Sequence, residues 1–313
     1  MPLPADATPP PPFPGHDGGV FAPVPAEVVA SWAPGHFVEN LVVDDDGVVF
    51  VSLHSHERID RYDPRSGTVD TFVTLPSAAT VLALAADGTL WVSGGAAGTP
   101  PGRIWRVDRD AAVTDWITVP DVAFFNGATF APDGRTLLVC ESLSGRVLAV
   151  DTHEPGWTDW LVDERLRPRS AGVPGANGIK IFDGEVWLSV TDLDTLYRVP
   201  LGPDGSPGAL RVAAEHLRAD DFAFDADGSL HVATHPAHTV VRLDPDGTRT
   251  TVAGPAQGAT GSTSCAFGRG PGDDTALYVT TTGGLGLAVP EHPEEAKLVR
   301  LDVGRRGLTP AAG

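Results

Sequence analysis

Residues 126–151 read NGATFAPDGRTLLVCESLSGRVLAVD: three short β-rich runs parted by turn residues. The first run starts at Asn126 and ends in Asp133-Gly134; the second covers 136–142 and the third 146–151. Asp-Gly between two such runs marks a tight hairpin. The unit recurs on both sides. Its first part returns at 39–47 (ENLVVDDDG), 80–88 (TVLALAADG), 177–184 (NGIKIFDG) and 220–228 (DDFAFDADG). A sixth copy begins at Thr263 (TSCAFG), with the longer loop RGPGDD in place of the turn. The second part follows at 48–54, 89–95, 185–191, 229–235 and 276–282, and the third at 58–63, 103–108, 195–200, 239–244 and 297–302. A weaker fourth run follows in most copies, as at 68–75 and 113–120.

The copies start roughly 40 to 50 residues apart, the spacing of propeller blades. Six units of four antiparallel strands predict an all-β, six-bladed β-propeller. The last copy ends after its third strand. Residues 26–32 (AEVVASW) are available as the missing outer strand, and would close the ring and remove an exposed edge. The expected organisation is therefore a Pro/Gly-rich N-terminal arm over 1–25 and one propeller domain over 26–313. Nothing reads as a long amphipathic helix; 158–166 is too short and too rich in Trp.

The formal net charge of −19 argues against nucleic acid and anionic membranes as partners. Cys140 and Cys265 fall on strands of different blades and read as small buried hydrophobes rather than a disulfide. No leader pattern and no membrane-spanning apolar run is visible. These features predict a cytoplasmic protein, a monomer or weak homo-oligomer, acting on a small molecule.

The chain has only three asparagines, Asn40, Asn126 and Asn177, all at the head of the repeat. The first strand of each blade lines the central channel, so the heads of the six copies converge. Those positions hold Glu39, Thr80, Asn126, Asn177, Asp220 and Thr263. Glu39, Asn126, Asn177 and Asp220 form an oxygen-only donor set. This suits one hard divalent cation, Ca²⁺ first, with Zn²⁺, Mg²⁺ or Mn²⁺ as alternatives, and it does not suit a structural zinc site. A polar ring that holds only ordered water is the competing reading. Asp221 could add an oxygen. Strict strand alternation sends Asn40 to the other side of the sheet as a structural hydrogen-bonder.

The second strands end at the same mouth, with His54, Glu141, Ser142, Thr191, Asp192, His235 and Thr282. His54 and His235 occupy one repeat position in two blades and are candidates for general base or proton shuttle, or else plain rim residues. No nucleophile elbow, P-loop, zinc-protease or dinucleotide motif is present.

With these residues in view, the chain resembles the SMP-30/gluconolactonase/LRE-like family of six-bladed propellers. More distantly it is similar to paraoxonase, diisopropylfluorophosphatase and strictosidine synthase-like proteins. The likeness runs over about 26–302. It is most specific at 263–268 (TSCAFG) with 276–280 (ALYVT), at Asn177-Gly178, and at 220–228, where Asp221 replaces the family's Gly. The resemblance implies that Glu39, Asn177 and Asp220 are metal ligands. It implies that Asn126 contacts substrate or water at the metal, or is itself a ligand. It also implies hydrolysis of a lactone or ester, with Asp220 or a nearby His managing the proton.

The departures matter for specificity. The family's Glu-Gly-Pro-x-Trp is Glu39-Asn40-Leu41-Val42-Val43 here, Phe124 stands where sugar-lactone enzymes often carry Arg, and the second blade offers Thr80-Val81-Leu82. The expected pocket, bordered by Asn126, Phe124, Thr80 and Glu141, is more apolar than a polyhydroxylated sugar wants. The reading is thus a metal-dependent hydrolase of a relatively apolar lactone or ester. The alternatives are non-hydrolytic cyclisation or condensation of a natural-product intermediate, and a non-catalytic ligand-binding propeller.

Overall fold

The computed structural model describes residues 19–96, 98–287 and 290–308. Six antiparallel sheets follow one another along the chain, each built on four strands. Blade 1 consists of Val38–Val43, Val49–Leu53, Arg58–Asp63 and Thr68–Thr74. The innermost strands of blades 2 to 6 are Ala79–Leu84, Phe125–Phe130, Ala176–Phe182, Phe222–Phe224 and Ser262–Phe267.

The hairpins form as their turn residues require. In blade 1 the Asp44 carboxylate accepts hydrogen bonds from the backbone N–H of Asp46 at 3.0 Å and of Val48 at 2.8 Å. Gly47 closes that turn with φ at 86°, a left-handed conformation glycine adopts without steric cost. The segment 158–166 divides into the end of strand Gly156–Val162 and a short 3₁₀ turn, Glu164–Leu166. Among the described residues no helix is long and apolar enough to cross a membrane. Cys140 and Cys265 are buried free thiols.

The ring is closed by the N-terminal segment. Ala26–Trp32 pairs antiparallel with Ala296–Asp302 and forms the outer strand of blade 6. Trp32 then reaches across the seam, its indole N–H donating to Asp60 of blade 1 at 2.9 Å. Of the expected arm, residues 1–18 lie outside the described residues. Val20–Phe21 adds a short parallel strand to the outer edge of blade 5, against Arg249–Ala253.

Apolar packing sits between the blades. One hydrophobic cluster fills each interface, from Phe50, Ile59, Leu82 and Trp105 between blades 1 and 2 round to Trp32, Val38, Tyr62 and Tyr278 between blades 6 and 1. Full burial of side chains of this size contributes roughly 1.5–3 kcal/mol each. Packing of this kind leaves the axis to polar side chains.

Candidate functional site

The innermost strands share a local irregularity that builds the site. Their register with the second strand shifts at Val38/Asn40, Ala79/Val81, Phe125/Ala128, Ala176/Ile179 and Ser262/Ser264. In blade 5 the Asp220 N–H donates to the Ala233 carbonyl, and the Ala233 N–H donates to the Asp221 carbonyl, so two residues oppose one. A β-bulge at the same repeat position re-aims the side chains there. The expectation that Asn40 lies on the far side of the sheet is therefore corrected. Its amide N–H groups donate to Asp221 at 3.2 Å and Ser264 at 3.1 Å, and its carbonyl accepts from the Leu82 N–H at 3.1 Å. Its role as a structural hydrogen-bonder is as expected, but it plays that role at the axis, linking blades 1, 2, 5 and 6.

At the axis, Asn177 donates from Nδ2 to Asp220 at 2.5 Å and to Thr191 at 2.9 Å. Both bonds leave from nitrogen, so neither engages the amide oxygen. Glu39 lies within electrostatic range of Asp220 and Asp221. Burial, with those two carboxylates adding to it, holds the Glu39 carboxyl well above the usual carboxylate range. Asp220 is pushed up to about 8 by burial, against the lowering effect of the Asn177 hydrogen bond and with Asp221 adding to the rise.

Asn126 is buried on the innermost strand of blade 3, beside blade 4. A Cβ on the adjacent Gly127 would lie 2.2 Å from the Asn177 carbonyl oxygen. The Asn126 Nδ2 and the Glu39 Oε2 are buried without hydrogen-bond partners. Thr80 is buried on blade 2, and its carbonyl accepts from Ser52 at 3.0 Å.

The rim is built by 3₁₀ turns after the second strands. His54–His56 and His235–Ala237 are such turns in blades 1 and 5. The His235 Nδ1 lies 3.6 Å from the Asp220 carboxylate, and its Nε2 lies 3.3 Å from the Thr282 hydroxyl. Burial, with His238 adding to it, pushes His235 down to about 4. His54 is turned the other way, its Nδ1 3.1 Å from the Ala79 carbonyl, and burial lowers its pKa against that hydrogen bond. Phe37 stands edge-on to both rings, 6.0 Å from His54 and 5.6 Å from His235.

Phe124 is half-buried at the entry to the blade 3 strand. Glu141 does not face the pocket as a free acid. One oxygen accepts from the Phe124 and Leu143 N–H groups, each at 3.3 Å, and the other from the Ser144 N–H at 2.6 Å and the Ser144 hydroxyl. With both oxygens engaged, Glu141 holds the loop that carries Phe124.

The hydrogen bonds by which several hydroxyl residues tie one blade to the next carried no legible sequence signal. The Ser52 and Ser189 hydroxyls donate to the carbonyls of Thr80 and Asp220 in the next blade, at 3.0 and 2.8 Å. Thr191 donates to the Ala219 carbonyl at 2.9 Å, and Thr263 to the Val38 carbonyl at 2.8 Å. Short hydroxyl side chains on β-rich runs are common, and only the ring places a neighbour's carbonyl opposite them. Phe37, outside the repeat, was likewise silent.

The donor set fits a hard cation. Buried carboxylates without a positive partner are costly, and each is relieved by a proton or a metal ion. The orphaned Glu39 oxygen is a hard donor atom with no hydrogen-bond partner among the described residues. Rotating the Asn126 amide by a half turn, which exchanges its oxygen and nitrogen, would put a second donor oxygen in place of the orphaned nitrogen. Among the described residues no group of three or more His, Cys, Asp or Glu has metal-holding geometry. A site here therefore needs the amide oxygens of Asn126 and Asn177, which are hard donors.

A six-bladed propeller with an acidic, amide-lined axis is thus defined by fold and site. Residues 172–283, from just before blade 4 to just past the second strand of blade 6, match the SMP-30/Gluconolactonase/LRE-like region. The chain is 28% identical over 211 residues to a 6-deoxy-6-sulfogluconolactonase of Pseudomonas putida, a match covering 61% of this chain and 65% of that one. It is 31% identical over 224 residues to a "Putative hetero-Diels-Alderase" of Phoma sp, covering 61% of this chain and 60% of that one. The chain thus spans less than two thirds of the length of these curated relatives. Among solved structures it is similar to regucalcin, a calcium-binding protein from Agrobacterium tumefaciens, with a TM-score of 0.65 and 19% identity over 91% of this chain and 96% of that one. Identity that low speaks for the fold alone.

Proposed function

We propose that the protein is a divalent-metal-dependent hydrolase of a lactone or related ester. The observation that carries this reading is a pair of carboxylates at the axis, the buried Asp220 and the part-buried Glu39, whose Oε2 is sealed from solvent; both are held above their ordinary range, with no Lys or Arg beside them among the described residues. Glu39, Asn126, Asn177 and Asp220 would hold the cation, Ca²⁺ first. When bound, it supplies Lewis-acid polarisation of an ester carbonyl.

The chain's own residues supply the rest. His235, neutral at ordinary pH and 3.6 Å from Asp220, can accept a hydrogen bond at Nδ1 from a water molecule or from a protonated Asp220, while Asp220 is the stronger base of the two. His54 is tied through Nδ1 to the Ala79 carbonyl, 3.1 Å away, and so does not approach Asp220 as His235 does. Phe37 and Phe124 make the mouth apolar, which favours a substrate less hydroxylated than a sugar lactone. The lactonase relative and the family region support this class of reaction.

The same aromatic rim, and the relative from Phoma sp, favour a second reading: orientation of an apolar intermediate for non-hydrolytic ring formation. We further propose a cytoplasmic protein, monomeric or weakly self-associating, with a small-molecule substrate.

The test is metal analysis of the purified protein, followed by a panel of lactones and aryl esters with and without chelator. Hydrolysis that chelator abolishes and Ca²⁺ restores is expected. Asp220→Ala and Asn177→Ala should each lower metal content and turnover at least about tenfold. Hydrolysis that survives complete metal removal would overturn the first reading.

A further inference from the structure

Next to the Glu39–Asp220 pair the axis carries a second polar cluster, centred on Asp221. The Asp221 carboxylate accepts from Lys180 Nζ at 2.5 Å, Ser264 Oγ at 2.7 Å and Asn40 Nδ2 at 3.2 Å. These four residues come from four different blades, and only the closed ring unites them. Gly178 makes room for the pair, since a Cβ there would lie 2.7 Å from the Asp221 oxygen that meets Lys180. The ammonium also sits 5.6 Å from the Phe222 ring centroid. Among the described residues, Lys180 is the one basic side chain on the six innermost strands. The other lysine, Lys297, pairs with Glu294 on the periphery.

The axis therefore holds three carboxylates, Glu39, Asp220 and Asp221, and one ammonium. We propose that Lys180 is a built-in counter-cation for Asp221: it cancels the third carboxylate and leaves the formal charge of the Glu39–Asp220 pair matched to one divalent ion. Asp221 is then a positioning residue whose oxygens are already engaged, and the affinity of the site follows the net charge of the axis. This inference rests on the cation reading above.

The experiment is calcium titration calorimetry on the full chain after chelator treatment, comparing wild type, Asp221→Asn and the double variant Lys180→Met/Asp221→Asn. Replacing a buried pair by neutral groups preserves folding better than breaking it, which makes the double variant the decisive one. Asp221→Asn removes one negative charge and should weaken calcium binding about tenfold, whereas the double variant restores the balance and should bind within roughly twofold of wild type. If Asp221→Asn does not fold, the double variant against wild type still decides. A double variant that has lost affinity as fully as Asp221→Asn would overturn the inference, because Asp221 would then be a ligand. An Asp221→Asn protein with wild-type affinity would overturn it as well. Wild type that takes up no calcium is a different result: it removes the cation reading itself.

Discussion

Asp220 gathers more of the axial contacts than any other candidate ligand. It is bonded to Asn177, lies beside His235, and sits in range of two further carboxylates. Its raised pKa makes a stability prediction with a definite sign. A carboxyl whose folded pKa is raised contributes stability that is fully present below its unfolded value and is lost as pH rises through the folded one. For Asp220 that window runs from 3.8 to about 8, and Glu39 acts in the same direction. His235, lowered from 6.5 to about 4, acts oppositely over the lower part of this window, so the fall is clean only from about pH 6.5 to 8. There, in chelator, the melting temperature should drop as pH rises, and Ca²⁺ in excess should flatten the drop, because the ion takes the place of the proton. Calorimetric melts at stepped pH check this without reference to activity; a melting temperature that rises over that range in chelator would contradict the assignment. At this scale the repeat-head positions of Glu39, Asn126, Asn177 and Asp220 were legible, since side-chain oxygen at a repeat head is visible in the letters. Glu141 was not, because nothing in its neighbours signals that two backbone N–H groups and Ser144 would claim its oxygens.

The innermost strand is the element that turns a repeat into a site. Its bulge brings two consecutive side chains into play at the axis, Glu39 with Asn40 and Asp220 with Asp221. Simple alternation assigns the second of each pair to the wrong face, and so misses the second cluster. Where no second side chain can be fitted, the chain carries glycine. Gly127 has no left-handed φ, so its constraint is purely spatial: a Cβ would lie 2.2 Å from the Asn177 carbonyl oxygen and 2.9 Å from Gly178 Cα. Gly127→Ala should therefore force blades 3 and 4 apart and destabilise the fold by about 1–3 kcal/mol. A urea titration measures it, and the same variant should weaken cation binding, since Asn126 and Asn177 flank the displaced contact. An unchanged midpoint would show that the strands yield without cost.

The whole ring depends on its seam. Blade 6 is completed by residues that precede blade 1 in the chain, and Trp32 fastens that strand to Asp60. Trp32→Phe keeps the apolar body and removes one hydrogen bond from a carboxylate that retains Arg58 and Thr71, so it should cost about 1 kcal/mol. Trp32→Ala also empties the interface between blades 6 and 1 and should cost about 3–5 kcal/mol. Equilibrium unfolding of the two variants separates the terms; equal costs would mean that the hydrogen bond alone holds the seam. Strand number, blade number and the closing strand were all readable, because alternation, turn residues and a fixed period are local and repeat six times. The charge balance at the axis was not. The sequence by itself determined a propeller with oxygen-bearing side chains at every blade head, since each blade obeys rules that act over a few residues. Only the tertiary structure decided that Lys180 meets Asp221, that Asn40 turns inward and that Phe37 stands against both histidines. Those contacts join residues up to 224 positions apart, as Asn40 and Ser264 are, and no local rule acts over that span.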